Sequence, residues 1–213
     1  MPLISKTMLK RAASGALKSG IDSWQILSQI RSKSFLTEQH FDIFLSHCFE
    51  DADDVLMLYE LLTMAGYNVF VDWIADPDSD RSDVTKDTAD GLRLVMQRSD
   101  SLLYAVSSNS GDSKWMPWEL GYSDALHGRV GVMPVTDVEI ASEVYTAEQE
   151  YLSLYPYVTV NRNLHGGGAF WVSEAVDKFV SLDDWLKGEK PKQKTLFTTV
   201  MRERGIIDNP KDT

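Results

Sequence analysis

Short apolar runs recur between amphipathic stretches along most of the chain, and no other feature constrains the fold as tightly. Phe41-Asp-Ile-Phe-Leu-Ser46, Tyr67-Asn-Val-Phe-Val71, Ser101-Leu-Leu-Tyr-Ala-Val106, Val130-Gly-Val-Met-Pro-Val135 and Tyr157-Val-Thr-Val160 all have strand-forming character. Helical patterns lie between them. Val55, Leu58, Tyr59 and Leu62 share one face behind the acid-rich Glu50-Asp51-Ala-Asp53-Asp54, which suits the positive end of a helix dipole, and Gly66 is a fitting stop. Ala89, Leu92, Val95 and Met96 share a second face, a third helix runs from about Ser113 to Leu126, and a last one is expected over 169–186. Strands apolar on both faces, alternating with helices, predict a doubly wound α/β fold of flavodoxin-like type: a parallel five-stranded sheet covered on both sides. Ligands bind such sheets beyond the carboxyl ends of the strands, where strand order reverses. Ser46 to Glu50, Asp72 to Ile74 and Ser107 to Asn109 mark that crevice.

The chain divides into a basic amphipathic helical arm (1–39), the α/β domain (40–187) and a C-terminal helix or tail (188–213). In the arm Leu9, Ala12, Ala16, Leu17, Ile21, Trp24, Leu27 and Ile30 recur at helical spacing, broken at Gly15 and Gly20. Residues 1–40 hold six Lys/Arg against two acids, although the 213-residue chain has a formal net charge of −11. A docking or oligomerisation arm is the plainer reading, and a mitochondrial presequence the weaker one. The acidic body argues against general nucleic-acid binding, which needs a positive surface. No run of about 18 apolar residues could span a bilayer, and no secretory leader opens the chain, so a cytoplasmic location is expected. Cys48 is the single cysteine, and no Cys/His cluster has metal-ligand spacing.

Residues 113–121, Ser-Lys-Trp-Met-Pro-Trp-Glu-Leu-Gly, crowd two of six tryptophans and a proline around one carboxylate. With Ser113 as N-cap, Pro117 falls in the first turn, where its missing N–H costs little. Trp115 and Glu119 then share one face, and Trp118 and Tyr122 the next. Spacing alone leaves Glu119 open between a dipole-favoured early-helix residue and a catalytic carboxylate. Other motifs are weaker. Asp76, Asp78 and Asp80 alternate as in a calcium loop, but Arg81 and Asp87 stand where an EF-hand needs Gly and Glu. His165-Gly-Gly-Gly168 has no Gly-x-Ser-x-Gly partner and reads as a turn. Neither Gly-rich phosphate signature is present, so no redox nucleotide is expected as a cofactor.

Phe41 to Ser46, Val71-Asp-Trp73, and Trp115-x-x-x-Glu119 after a strand-to-helix connection together resemble the Toll/interleukin-1 receptor (TIR) domain, over roughly residues 40–187. Asp78-Ser-Asp-Arg81-Ser-Asp-Val-Thr85 and Trp115-Met-Pro-Trp-Glu-Leu-Gly-Tyr122 are similar to a bacterial subgroup of stand-alone TIR proteins, some of which act in anti-phage defence. The resemblance implies cleavage of the nicotinamide–ribose bond of NAD+, giving nicotinamide and ADP-ribose or a cyclic isomer, with Glu119 at the catalytic position and Trp115 walling the site. It implies nucleotide contacts from Ser46, His47 and Phe49 and from Asp72 and Trp73. Some NAD-cleaving relatives carry basic residues where this chain has Cys48-Phe49; Arg81 is the cation that could take that part. His47 also reads as a plain loop histidine. The resemblance further implies a homo-oligomer, with loop 74–87 in self-association, and a downstream effector sensing the product. A non-catalytic TIR adaptor and a base-exchanging glycosyl transferase are the competing functions.

Overall fold

The computed structural model describes residues 2–16, 40–71, 85–137, 144–160 and 170–194. In chain order they form β1 (Ile4–Ser5), α1 (Lys6–Ala16), β2 (Phe41–Ser46), α2 (Ala52–Met64), β3 (Val69–Val71), α3 (Lys86–Gln97), β4 (Ser99–Val106), α4 (Trp115–His127), β5 (Val130–Thr136), β6 (Tyr157–Val160), β7 (Phe170–Ala175), β8 (Lys178–Ser181), α5 (Leu182–Leu186) and β9 (Lys192–Gln193). Single 3-10 turns precede α2 (Phe49–Asp51), α4 (Ser110–Asp112) and β6 (Glu150–Leu154).

The sheet runs β3-β2-β4-β5-β6-β7-β8-β9. Its first five strands are parallel, in the flavodoxin-like order, and strand order reverses between β2 and β4. Alternate strand residues feed two cores. Ile43, Leu45, Leu103 and Met133 pack with Met8 and Leu9 of α1 and Val55, Leu58 and Leu62 of α2. Phe44, Leu102, Tyr104 and Val132 pack with Leu92 and Met96 of α3 and Met116 and Leu120 of α4. That two-sided burial is why the strands read as nearly continuous apolar runs. Gly66, at φ 100°, supplies the left-handed residue that ends α2 before β3.

Three sequence expectations change. The helix expected over 169–186 is the antiparallel hairpin β7–β8 followed by the short α5. Phe170 and Val172 are buried at strand spacing, Phe179 and Val180 are both buried on β8, and the chain reverses at Val176-Asp177, which carries no glycine or asparagine to announce a turn. The tail turns back rather than extending a helix: β9 pairs with β8, and residues beyond 194 lie outside the described part.

The third change concerns the N-terminal arm, whose first part is built into the domain. β1 pairs with the carboxyl end of β5 through Ile4–Val135 and Ser5–Thr136, and the Val160 N–H donates to the Pro2 carbonyl at 3.0 Å. Residues 2–5 therefore fill the gap that opens between β5 and β6 beyond the pairing of Val132 with Tyr157. The Ser5 hydroxyl accepts from the Met8 N–H at 3.1 Å and caps α1. Lys6 bridges Asp137 at 2.8 Å and Asp54 at 3.3 Å, and these contacts, Asp137 first, hold its ammonium above the usual lysine value. Arm residues 17–39 lie outside the described part.

Candidate functional site

The N-terminal turns of α4 behave much as the sequence implied. The Ser113 hydroxyl accepts from the Met116 N–H at 3.3 Å, and Pro117 occupies the first turn. Trp118 stacks on Tyr122 with centroids 5.9 Å apart, the Arg93 guanidinium lies 5.3 Å from the Trp118 ring centroid, and the Gln97 side-chain amide donates to the Tyr122 hydroxyl at 2.8 Å. That flank of α4 is thereby docked on α3. Trp115 meets Trp118 edge-on at 5.2 Å and remains half-buried.

Glu119 lies one turn beyond Trp115 on the sheet side of α4, only 3% exposed. The Ser46 hydroxyl, at 0% exposure, donates to Glu119 Oε2 at 2.5 Å. Ser46 is the last residue of β2 and follows Phe44 on the same face, so a hydroxyl replaces a core hydrophobe where the strand reaches the switch point. A buried carboxylate needs such a partner, because desolvation without one costs several kcal/mol. The Ser46 hydroxyl supplies that donor.

His47 turns its Nδ1 to the Leu45 carbonyl at 3.1 Å; a carbonyl only accepts, so Nδ1 carries the proton and donates. Cys48 is buried and donates to the Glu50 carboxylate, and burial first, then that bond, pushes its thiol up to about 11. It stays protonated and is no nucleophile at neutral pH. Phe49 opens the 3-10 turn that leads into α2. Asp72, Trp73 and Arg81, with most of loop 74–87 and His165-Gly-Gly-Gly168, lie outside the described residues.

Two features escaped the sequence reading. Buried Asp51, just before α2, accepts from the Ser107 hydroxyl and from the Asn109 side-chain amide at 2.8 Å, and the Ser110 hydroxyl accepts from the Ser107 N–H at 2.7 Å. The loop that leads into α4 is thus tied to the loop after β2. The second is Tyr104, wholly buried on β4 beside Ser46 in the ladder, its hydroxyl 3.5 Å from that of Tyr151. Its signal was a phenol inside an otherwise aliphatic strand, Leu102-Leu-Tyr-Ala105.

A parallel sheet reversing at β2/β4, with a buried carboxylate brought to that reversal by the following helix, defines an α/β domain with an acidic site at its switch point. The family model for the TIR domain matches residues 43–163, and the chain belongs to that family. Among curated relatives, the "Probable 3' cyclic ADP-D-ribose synthase ThsB'" of Bacillus cereus (strain MSX-D12) is 41% identical over 156 residues, covering 73% of this chain and 80% of the relative. The "Putative cyclic ADP-D-ribose synthase TIR2" of Cytobacillus dafuensis is 26% identical over 102 residues, 47% of this chain and 27% of that protein.

Proposed function

We propose that this chain is an NAD+ nucleosidase and ADP-ribosyl cyclase: it breaks the nicotinamide–ribose bond and closes the ADP-ribose into a cyclic isomer that serves as an immune signal in bacterial anti-phage defence. The observation that carries the reading is the Ser46–Glu119 bond at the switch point. The relatives' names as cyclic ADP-D-ribose synthases support the reaction class.

Nicotinamide in NAD+ is already cationic, so the C–N bond breaks with its electron pair going to the ring and no acid is needed. What remains is an oxocarbenium-like ribose, as in glycoside chemistry. Glu119, oriented by Ser46, stabilises that charge and orients ribose hydroxyls. A nucleophile within the adenosine part then attacks C1 of the emptied ribose and loses its proton, closing the ring. Water in its place gives linear ADP-ribose. The first relative's name, with its 3′ designation, supports a ribose hydroxyl as that nucleophile.

Trp115 walls the site beside the carboxylate. Nucleotide contacts are assigned to Ser46 and His47 at the end of β2 and, on the family resemblance alone, to Phe49, Asp72, Trp73 and Arg81, the last three outside the described residues. NAD+ is consumed as substrate and no further cofactor is required. The enzyme works in the cytoplasm as a homo-oligomer, and an effector protein senses the product. No helix among the described residues is long and apolar enough to cross a membrane. The test is nicotinamide release from NAD+ by the purified full chain, repeated at high protein concentration to allow for oligomerisation; no release at any concentration rejects the reading.

A further inference from the structure

Three tyrosines gather behind the carboxylate. Tyr104 stands beside Ser46 in the β2–β4 ladder, and partners in a parallel ladder project to the same face, so both side chains rise toward α4. Tyr151, in the 3-10 turn before β6, brings its hydroxyl to 3.5 Å from that of Tyr104 and hydrogen-bonds the Gln149 side-chain oxygen. A phenol has one proton to give. Because Tyr151 spends its own on the Gln149 oxygen, an acceptor only, the bond between the phenols runs from Tyr104 to Tyr151. The chain is directed: Tyr104, Tyr151, Gln149.

The far end of this chain reaches the loop that leads into α4: the Gln149 amide nitrogen lies 3.8 Å from where a Cβ would stand on Gly111. Tyr145 and Tyr151 pack against the same core cluster as Trp115. The Tyr145 hydroxyl is buried and meets no hydrogen-bond partner among the described residues, so this segment presents a donor that a ligand could satisfy. Burial first, then the Tyr151 contact, pushes the Tyr104 phenol far above its ordinary value, with the Glu119 charge adding to it, so Tyr104 remains a neutral donor.

We propose that Tyr104 is a positioning residue of the NAD+ site: through Tyr151 and Gln149 it fixes the segment 145–151 at a set distance from Glu119, so that the two walls hold the ribose between them. This rests on the enzymatic reading above. Without the chain, the segment loses its hydrogen bond to β4, and the ribose loses its alignment with the carboxylate before it loses affinity.

The test compares wild type, Tyr104→Phe, Tyr151→Phe and the double variant on NAD+. Phenylalanine keeps the ring and the packing. Each single substitution is expected to lower kcat about 10-fold with KM little changed, as for one lost hydrogen bond, and the double variant to fall no further, because the hydroxyls act as a unit. A wild-type kcat in Tyr104→Phe, or fully additive losses, overturns the proposal. A wild type that releases no nicotinamide fails the enzymatic reading instead, and the chain is then read without substrate by NMR of protein labelled at tyrosine Cζ. The Tyr104 signal, assigned by its loss in Tyr104→Phe, should move in both Tyr151→Phe and Glu119→Gln; a signal indifferent to both overturns the proposal.

Discussion

Ser46 and Glu119, 73 residues apart in sequence, are joined by a 2.5 Å hydrogen bond that links the end of β2 to the second turn of α4. The carboxylate is buried and the hydroxyl has no solvent to replace it. Ser46→Ala should therefore cost the charge-assisted bond, about 1.5–3 kcal/mol, and lower kcat/KM for NAD+ roughly 10- to 100-fold. Steady-state kinetics measure this, and unchanged kinetics would mean that Ser46 only fills space.

Asp51 braces the loop leading into α4 through Ser107 and Asn109. Asp51→Ala leaves both donors without their acceptor in a partly buried place, at about 1–3 kcal/mol. Urea unfolding should show a lower midpoint, and NAD+ turnover should fall with it because α4 carries Glu119 and Trp115.

Leu9 decides whether the start of the chain is a free arm. It is wholly buried between α1 and α2. Leu9→Ala should cost about 2–5 kcal/mol, the range for emptying a packed aliphatic site. An unchanged midpoint in urea would mean that residues 2–16 do not belong to the folded core.

Cys48 gives a pH test. Its native thiol sits at about 11 against an ordinary 9.0, so at pH 8 labelling should be roughly 100-fold slower than in the unfolded chain. The sign for stability follows. The unfolded chain loses this proton first, so the contribution of Cys48 is intact below about pH 9 and fades as pH rises toward 11. Urea midpoints across that interval check it, with the Cys48→Ala protein as reference.

Much of this architecture could be read from residue order. β2 and β6 fall where the apolar runs put them, because strands buried on two faces leave an unbroken hydrophobic signature. The stacking of Trp118 on Tyr122 also follows from helical spacing. The hairpin β7–β8 did not show, since a reversal at Val176-Asp177 lacks turn residues and its apolar positions also fit a helix face. β1 was hidden for another reason: two residues filling a gap between distant strands have no local pattern at all. Within the site, Glu119 was marked by its tryptophans, whereas its bond to Ser46 and the directed chain from Tyr104 are products of ladder register, which spacing within one segment does not contain.

The central claim is that a buried carboxylate at the switch point cleaves NAD+. Mass spectrometry of NAD+ incubated with wild type and with Glu119→Gln tests it most directly. The account predicts nicotinamide and a cyclic ADP-ribose isomer from wild type, with Glu119→Gln folded but at least about 100-fold slower, as expected when a transition-state charge partner is removed. Wild-type product yield from Glu119→Gln would contradict it.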